Sequence, residues 1–349
     1  MSAPTVSVIM AVYNGAAMLP ETLASLQAQT LTDWELIAVD DCSKDDSVGV
    51  LEALGDPRIR VIRSRENGGP VVARNIAFAA ARGRYVAGLD QDDISLPQRL
   101  ARQVSFLDAD PGTVLVSSAA DYLIDGRRAP GNWPRPLTPA LIDWLLLIRN
   151  PIAWSSVMFR ADAARQLDPF ERPEMRYVED FDLYQRIRAF GRVAQIDEVL
   201  LLYRCHEGGA SNMFNSTMCA HAELLLRERH RALLGPAAPE IAPLLVRHVM
   251  DGAPVPDVAT LNALFVGIGA LRAEFGKGDY SAVELAQIDD MISQGWWRLC
   301  RTGVRAGTLL LHRVLERRPT PVPVREAVDL VASQAIGGVR AVWRRLARG

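Results

Sequence analysis

Cysteine is scarce in this chain of 349 residues: Cys42, Cys205, Cys219 and Cys300 are the four present, and no two form a C-x-x-C pair. Neither a disulfide scaffold nor a cysteine zinc site follows from that spacing, and a reducing cytoplasm is the simpler setting. A secretory leader is missing from the opening MSAPTVSVIMAVYNG, which has no basic stretch followed by a long apolar run. The longest apolar stretch, Val258 to Leu271, is broken by Thr260, Asn262 and two glycines. It falls short of the ~20 residues a membrane span needs, so the chain is expected to be soluble or peripheral. An excess of positive charge is absent too. Lys+Arg 39 against Asp+Glu 41 leaves a net −2, which argues against a general nucleic-acid binder. There is no G-x-G-x-x-G and no G-x-x-x-x-G-K-[ST], so dinucleotide and P-loop readings lose their main support. No Ser/His/Asp or Cys/His arrangement stands out, and internal repeats and low-complexity tracts are lacking.

What is present suits a folded chain. Hydrophobic residues make up 49% and charged ones 23%, enough for a sizeable core and too little charge for disorder. The length suggests one large domain with an appendage, or two domains. The charge is unevenly placed: Trp296 to Gly349 carries eleven arginines against three acids, a net of +8 on an acidic body.

Apolar β-branched runs alternate with helical periodicity along the first hundred or so residues. Strands are expected over Thr5–Tyr13, Trp34–Asp40, Ile59–Arg63 and Arg84–Leu89. Helices are expected over Met18–Gln29, from the Ser43–Asp46 cap to Leu54, over Pro70–Ala81 and over Pro97–Leu107. Near-continuous apolar strands between helices indicate a parallel sheet covered on both faces. Ligands then bind at the carboxyl ends of the strands. There the polar groups gather: Tyr13-Asn14, Asp40-Asp41, Arg65-Glu66-Asn67 and Asp90 to Asp93. Further strands are expected over Thr113–Ala119, Ser155–Arg160 and Val193–Tyr203. Pro130–Pro139 reads as a loop, Val178–Phe190 as a helix, and the chain as helical from about Asn215. Pro319–Pro323 reads as a hinge between basic amphipathic segments.

Three constellations carry chemistry. Asp90-Gln91-Asp92-Asp93 packs three carboxylates just after a strand, and a cation is the usual answer to such crowding. Oxygen ligands favour Mg²⁺ or Mn²⁺, while helix capping is the competing use. Val178-Glu179-Asp180-Phe181-Asp182 opens a helix; its acids either complement the helix dipole or supply a general base. Tyr203-Arg204-Cys205-His206 ends a strand beside a Gly-rich turn, so His206 either completes a metal site or is structural. The remaining histidines, His221, His230, His248 and His312, read as surface or packing residues. Asn67-Gly68-Gly69 precedes a helix that holds Arg74, an arrangement that offers backbone N–H groups to phosphate.

Together the segments VSVIMAVYNG, LQAQTLTDWELIAVDDCSKDDS, ENGGPVVARN, GRYVAGLDQDD, VEDFDLYQRI and YRCHEGGASN resemble the family 2 glycosyltransferases, inverting enzymes of the GT-A fold. The resemblance covers about residues 4–215. It implies a Rossmann-like, mostly parallel nucleotide-binding sheet flanked by helices, with a helical C-terminal extension. The catalytic domain would span 1–215, with a nucleotide-sugar half over about 1–120 and an acceptor half over about 121–215. A helical region over 216–349 would end in the basic tail 296–349.

The resemblance also implies roles. Ala11 to Tyr13 would line the nucleotide base, Asp41 would accept a hydrogen bond from it, and Asn67, Arg74 and Gln91 would belong to the nucleotide site. Asp90 would lie near the ribose, and Asp92 would hold the Mn²⁺ or Mg²⁺ that bridges the diphosphate, with His206 approaching it. Asp180 would be the catalytic base and Glu179 would contact the acceptor. The donor would be a nucleoside diphosphate sugar, UDP-linked, and the acceptor a saccharide or lipid-linked hydroxyl in cell-surface polysaccharide or glycolipid assembly. A metal-dependent nucleotidyltransferase or hydrolase is the competing enzyme class, and a non-catalytic nucleotide- or carbohydrate-binding scaffold the competing binding module. The tail, with Trp296-Trp297-Arg298 and Val342-Trp343-Arg344-Arg345-Leu346, has the chemistry of an interfacial helix on an anionic membrane. A basic face packed on the acidic body and a homo-oligomer contact are its alternatives. The expected location is the cytoplasm, with the tail peripheral on the inner face of the cell membrane. Trp133, Trp144 and Trp154 could stack on sugars or pack the core.

Overall fold

A computed structural model describes residues 3–206, 208–209, 213–316, 329–334 and 336–337. The chain divides into two compact units, an α/β unit of residues 1–146 and 150–221 and a helical unit of residues 147–149 and 222–349.

The α/β unit is built on one sheet. Strands β1 (Val6–Val12), β2 (Trp34–Asp40), β3 (Ile59–Arg63) and β4 (Tyr85–Gly88) lie parallel in the order β3-β2-β1-β4. β1, β2 and β4 are buried on nearly every residue, as apolar runs covered on both faces must be. The covering helices are α1 (Leu19–Gln27), α2 (Ser47–Ala53), α3 (Pro70–Ala80) and α4 (Arg99–Ala109). Pro70 sits in the first turn of α3, where its missing N–H costs nothing. The even-numbered residues of β1, from Val6 to Val12, join Leu19, Leu23 and Leu26 of α1 and Leu100 and Leu107 of α4 in one apolar core.

Beyond β4 the parallel order breaks. The strands β5 (Ile94–Ser95), β6 (Thr113–Ile124), β7 (Arg127–Ala129), β8 (Met158–Arg160) and β9 (Arg192–Cys205) continue the sheet as β4-β8-β6-β9-β5. β8 runs antiparallel to both neighbours, and β9 runs parallel to β6. β5 and β7 were not expected from the sequence. β7 folds back on β6 through Asp125-Gly126, both at positive φ, the geometry of a tight two-residue hairpin. Helices α5 (Pro139–Leu145), α6 (Ala161–Ala164) and α7 (Glu179–Ile187) complete this unit; α5 was likewise unforeseen.

The helical unit takes in most of α8 (Asn215–Leu234), then α9 (Ala242–Leu245), α10 (Val258–Phe275), α11 (Ala282–Ala306) and α12 (Leu311–Leu315). α11 starts on a Ser281–Glu284 capping box and stops at Gly307 in the left-handed conformation. α10 is an 18-residue helix, longer than the apolar stretch suggested, and by length and composition alone could cross a membrane. It packs on α11 through Phe265 on Trp296, with ring centroids 5.1 Å apart, and Arg272 on Asp289 at 2.7 Å. His230 and His248 are packing residues as expected: each is buried and bonds a backbone carbonyl, of Leu147 and Ala253. The Pro319–Pro323 hinge and the segment around Trp343 lie outside the described residues.

Candidate active site

The loops after β1 and β2 are knitted together before any ligand is considered. Asn14 N–H donates to Ser43 Oγ, Gly15 N–H to Ser47 Oγ, and Lys44 N–H to Asn14 Oδ1. Gln91 clamps the end of β1: Tyr13 N–H donates to its Oε1 at 2.9 Å, and its Nε2 donates to the Tyr13 carbonyl at 3.0 Å. Ala11 is half-buried just before this clamp, and Tyr13 is 43% exposed.

Asp41 is only 3% exposed, and both its carboxylate oxygens are engaged, by Gly68 N–H at 2.8 Å and Gly69 N–H at 2.7 Å. Asn67 Nδ2 donates to the Asp41 carbonyl. The Gly68 and Gly69 N–H groups foreseen for phosphate serve this carboxylate, because a buried charge needs donors and these are the nearest. Asp41, expected at the nucleotide base, anchors the Asn67–Gly69 turn through its side chain.

Arg74 lies on α3, buried at 7% exposure. It gives Nη2 to Asp90 Oδ1 at 2.9 Å and Nη1 to Glu179 Oε1 at 2.7 Å, with Glu171 Oε1 3.8 Å from Nη1. Its guanidinium lies 4.6 Å from the Trp154 ring centroid. Its charge is met by protein carboxylates. Glu179, foreseen beside the acceptor, is 5% exposed and faces this guanidinium.

Glu171 was missed by the sequence reading. It is fully buried, without a hydrogen-bond partner on either carboxyl oxygen, and burial pushes its proton affinity well above the usual carboxylate range. Its backbone N–H and C=O are both held by the Asn75 side chain. Trp144 and Trp154 are 2% and 5% exposed, which makes them core residues. Trp133 is partly exposed and packs with Tyr122 and Tyr203.

Asp180 stands at the first turn of α7, half-buried, with Oδ1 accepting from Phe181 N–H at 2.7 Å and Oδ2 from Asn150 Nδ2 at 2.8 Å. Burial, reinforced by the neighbouring Glu179 charge, pushes its carboxyl up to about 7. That is the range in which a carboxylate accepts a proton efficiently near neutral pH. Tyr177 precedes this turn at φ +72 and stacks on Phe214 with ring centroids 4.3 Å apart.

At the other carboxylate cluster, His206 Nε2 lies 2.8 Å from Asp92 Oδ2, so two residues read separately from the sequence meet. Burial and Asp90 raise the proton affinity of Asp92. Asp93 is buried and accepts from Arg204 N–H at 2.8 Å, while its second oxygen has no partner. Asp93 thus ties β9 to the turn after β4. Among the described residues no three carboxylate, imidazole or thiol side chains converge as a self-sufficient metal cage. A carboxylate and an imidazole nitrogen nonetheless fit a divalent cation that takes its remaining ligands from substrate phosphate and water.

The sequence profile of "Glycosyl transferase family 2" matches residues 7–168. The succinoglycan biosynthesis protein ExoO of Rhizobium meliloti is 31% identical over 239 residues, 64% of this chain and 68% of that one. The crystal structure of Staphylococcus aureus TarS residues 1–349 with UDP-GlcNAc aligns at TM-score 0.52 and 17% identity, over 98% of this chain and 92% of that one. The mannosyltransferase PcManGT of Pyrobaculum calidifontis, with GDP-Man and Mn²⁺, aligns at TM-score 0.52 and 18% identity over 99% and 88%. The structural likenesses carry the GT-A fold, and the likeness to ExoO carries the family. The α/β sheet, the helical C-terminal region and these likenesses together make the chain a member of glycosyltransferase family 2.

Proposed function

We propose that this glycosyltransferase moves a sugar from a nucleoside diphosphate sugar, UDP-linked, to an acceptor hydroxyl with inversion, in assembly of a cell-surface polysaccharide or glycolipid. The single observation that carries the mechanism is Asp180, a half-buried carboxyl at a helix start whose proton affinity is raised to about 7. A base so tuned takes the proton of the attacking hydroxyl, and no protein nucleophile is needed for one displacement. Asp92 and His206 would hold the divalent cation, Mn²⁺ or Mg²⁺. When bound there, it supplies Lewis-acid stabilisation of the charge growing on the leaving diphosphate. Arg74 joins the two halves of the site, since one guanidinium grips Asp90 on the donor side and Glu179 beside the base.

The UDP-GlcNAc and GDP-Man in the structural neighbours support a nucleotide-sugar donor, and the polysaccharide named for ExoO supports the biosynthetic setting. Catalysis belongs to 1–215 in this reading, and 216–349 to docking, with the tail 296–349 against an anionic membrane.

Purified protein is incubated with Mn²⁺ and UDP-glucose, UDP-galactose, UDP-GlcNAc or GDP-mannose, and the released nucleotide is identified. Nucleoside diphosphate as product fits glycosyl transfer; nucleoside monophosphate with sugar 1-phosphate marks a hydrolase that cuts the diphosphate, and transfer of the nucleotidyl group with release of sugar 1-phosphate marks a nucleotidyltransferase. Asp180→Asn should cut release by at least ~100-fold while calorimetric UDP·Mn²⁺ binding persists. Asp92→Ala should abolish the metal-dependent part of that binding. Full turnover by Asp180→Asn would dismiss the base.

A further inference from the structure

Asp180 does not hold its carboxylate in place alone. Asn150 reaches it from a segment thirty residues upstream, in the sequence Arg149-Asn150-Pro151-Ile152. Three observations fix that amide. Pro151 restricts the backbone of the residue before it to extended conformations. The Asn150 Oδ1 atom accepts from Ile152 N–H at 3.1 Å, so the oxygen of the amide is committed and the NH₂ end must point the other way. The Nδ2 atom then donates to Asp180 Oδ2 at 2.8 Å, while Phe181 N–H holds Oδ1. The carboxylate is oriented by two donors, one from its own helix and one from a distant loop.

We propose that Asn150 is the positioning residue of the transfer reaction, fixing the plane of the Asp180 carboxylate and favouring its proton-accepting form. This deepens the reading of Asp180 as base and rests on it. The other charged and titratable groups around Asp180 are Glu179 and Tyr184 on its own helix, Arg74 on α3 and Glu171 on the preceding loop. Glu179 opposes ionisation of Asp180, whereas Arg74 and the Asn150 amide favour it. Asn150 itself carries no ionisable group, so removing it changes the base without adding or deleting a charge.

Two substitutions separate positioning from scaffolding. Asn150→Ala deletes the donor. Asn150→Asp keeps the shape and the acceptor for Ile152 N–H, but faces Asp180 with a second carboxylate. A merely structural role makes Asp the milder change; a positioning role makes it the harsher one. The probe is UDP release from whichever of UDP-glucose, UDP-galactose and UDP-GlcNAc, with Mn²⁺, is turned over fastest. It is paired with ¹³C NMR titration of aspartate carboxyl carbons, the Asp180 signal being identified by its loss in Asp180→Asn. For Asn150→Ala we expect the Asp180 midpoint to rise by about one pH unit. Its kcat should fall about tenfold at pH 7 and recover towards pH 9, with donor KM within about twofold. Asn150→Asp should raise the midpoint further and turn over more slowly than the Ala variant. An unmoved midpoint in Asn150→Ala, or greater activity in the Asp than in the Ala variant, overturns the assignment. Normal turnover by Asp180→Asn would instead remove the base, and the NMR midpoint would still decide whether Asn150 governs that carboxyl.

Discussion

The α/β unit and the helical unit bury polar groups in opposite ways. The first sinks Arg74, Asp93, Arg99, Glu171, Glu179 and Asp182 below the surface, and leaves buried polar atoms of Arg74, Asp93, Glu171, Glu179 and Tyr184 unpaired. Among the described residues of the second, the buried polar side chains are His230, His248 and Ser333, its interior is otherwise Leu, Val, Ile, Ala, Trp, Phe275 and Cys300, and the Trp296 and Trp297 indole N–H groups are unpaired. Buried unpaired polar atoms each cost free energy, so their concentration in one unit marks where stability has been given up. Those of Arg74, Glu171 and Glu179 belong to one ion-pair group, and that of Asp93 to the carboxylate cluster after β4. The α/β unit is thus held by a charge balance that pH can upset, and the helical unit mainly by apolar packing, with His230, its proton affinity lowered by burial, as the buried group that acid would charge.

That contrast can be attacked directly, starting from its strongest point. Arg74→Met removes the cation shared by Asp90, Glu171 and Glu179, and should destabilise the α/β unit by about 3–5 kcal/mol at neutral pH. Part of the loss should return at pH 5, where protonation relieves the carboxylates; chemical denaturation at both pH values measures it. An equal loss at both would count against a charge balance.

Asp180 gives the next effect, and its sign follows from its raised proton affinity. The folded form holds a proton up to about pH 7 that the unfolded form has lost, so this contribution to stability is full at low pH and drains away as pH rises through 7. Asp180→Asn cannot ionise. Between pH 5 and pH 7.5 its stability should therefore improve by about 2 kcal/mol relative to the unsubstituted protein. Parallel stability curves for the two proteins would rule out the shift.

In the helical unit, a Cβ at Gly267 would lie 2.3 Å from Ile241 Cγ2. Gly267→Val should cost about 1–3 kcal/mol by overpacking, with the same value at pH 5 and pH 8. The smallest effect is expected at the cap of α11. Ser281→Ala breaks the capping box and should lower Tm by about 2–4 °C, again without pH dependence. A strong pH dependence in either variant would erase the distinction between the units.

The first four strands and their helices were legible because each is a run of one periodicity closed by turn residues. The later strands were harder for identifiable reasons. Ile94–Ser95 is two residues long and exists only because β9 lies beside it. The hairpin at Asp125-Gly126 did leave a signal, the Asp-Gly pair after an apolar run, which lies between the strand expected to end at Ala119 and the loop expected from Pro130. Within the site, Asp92, Asp180 and His206 were readable as polar residues at the ends of elements. Glu171 and Asn150 were not, since each sits in irregular chain whose meaning depends on a partner far away in sequence. Arg74 and Glu179 are 105 residues apart, and no local pattern announces that pairing.

The guanidinium of Arg74 has a consequence for anyone who would re-engineer the enzyme. Because one side chain serves Asp90 and Glu179 at once, the two positions are not independent design variables. An exchange at Asp90, which the proposed function puts on the donor side, will disturb Glu179, the neighbour of Asp180, through their shared guanidinium. Libraries that vary the donor side alone should therefore accumulate compensating changes at Glu171 or Glu179, and the shortest route to a new sugar preference runs through paired substitutions.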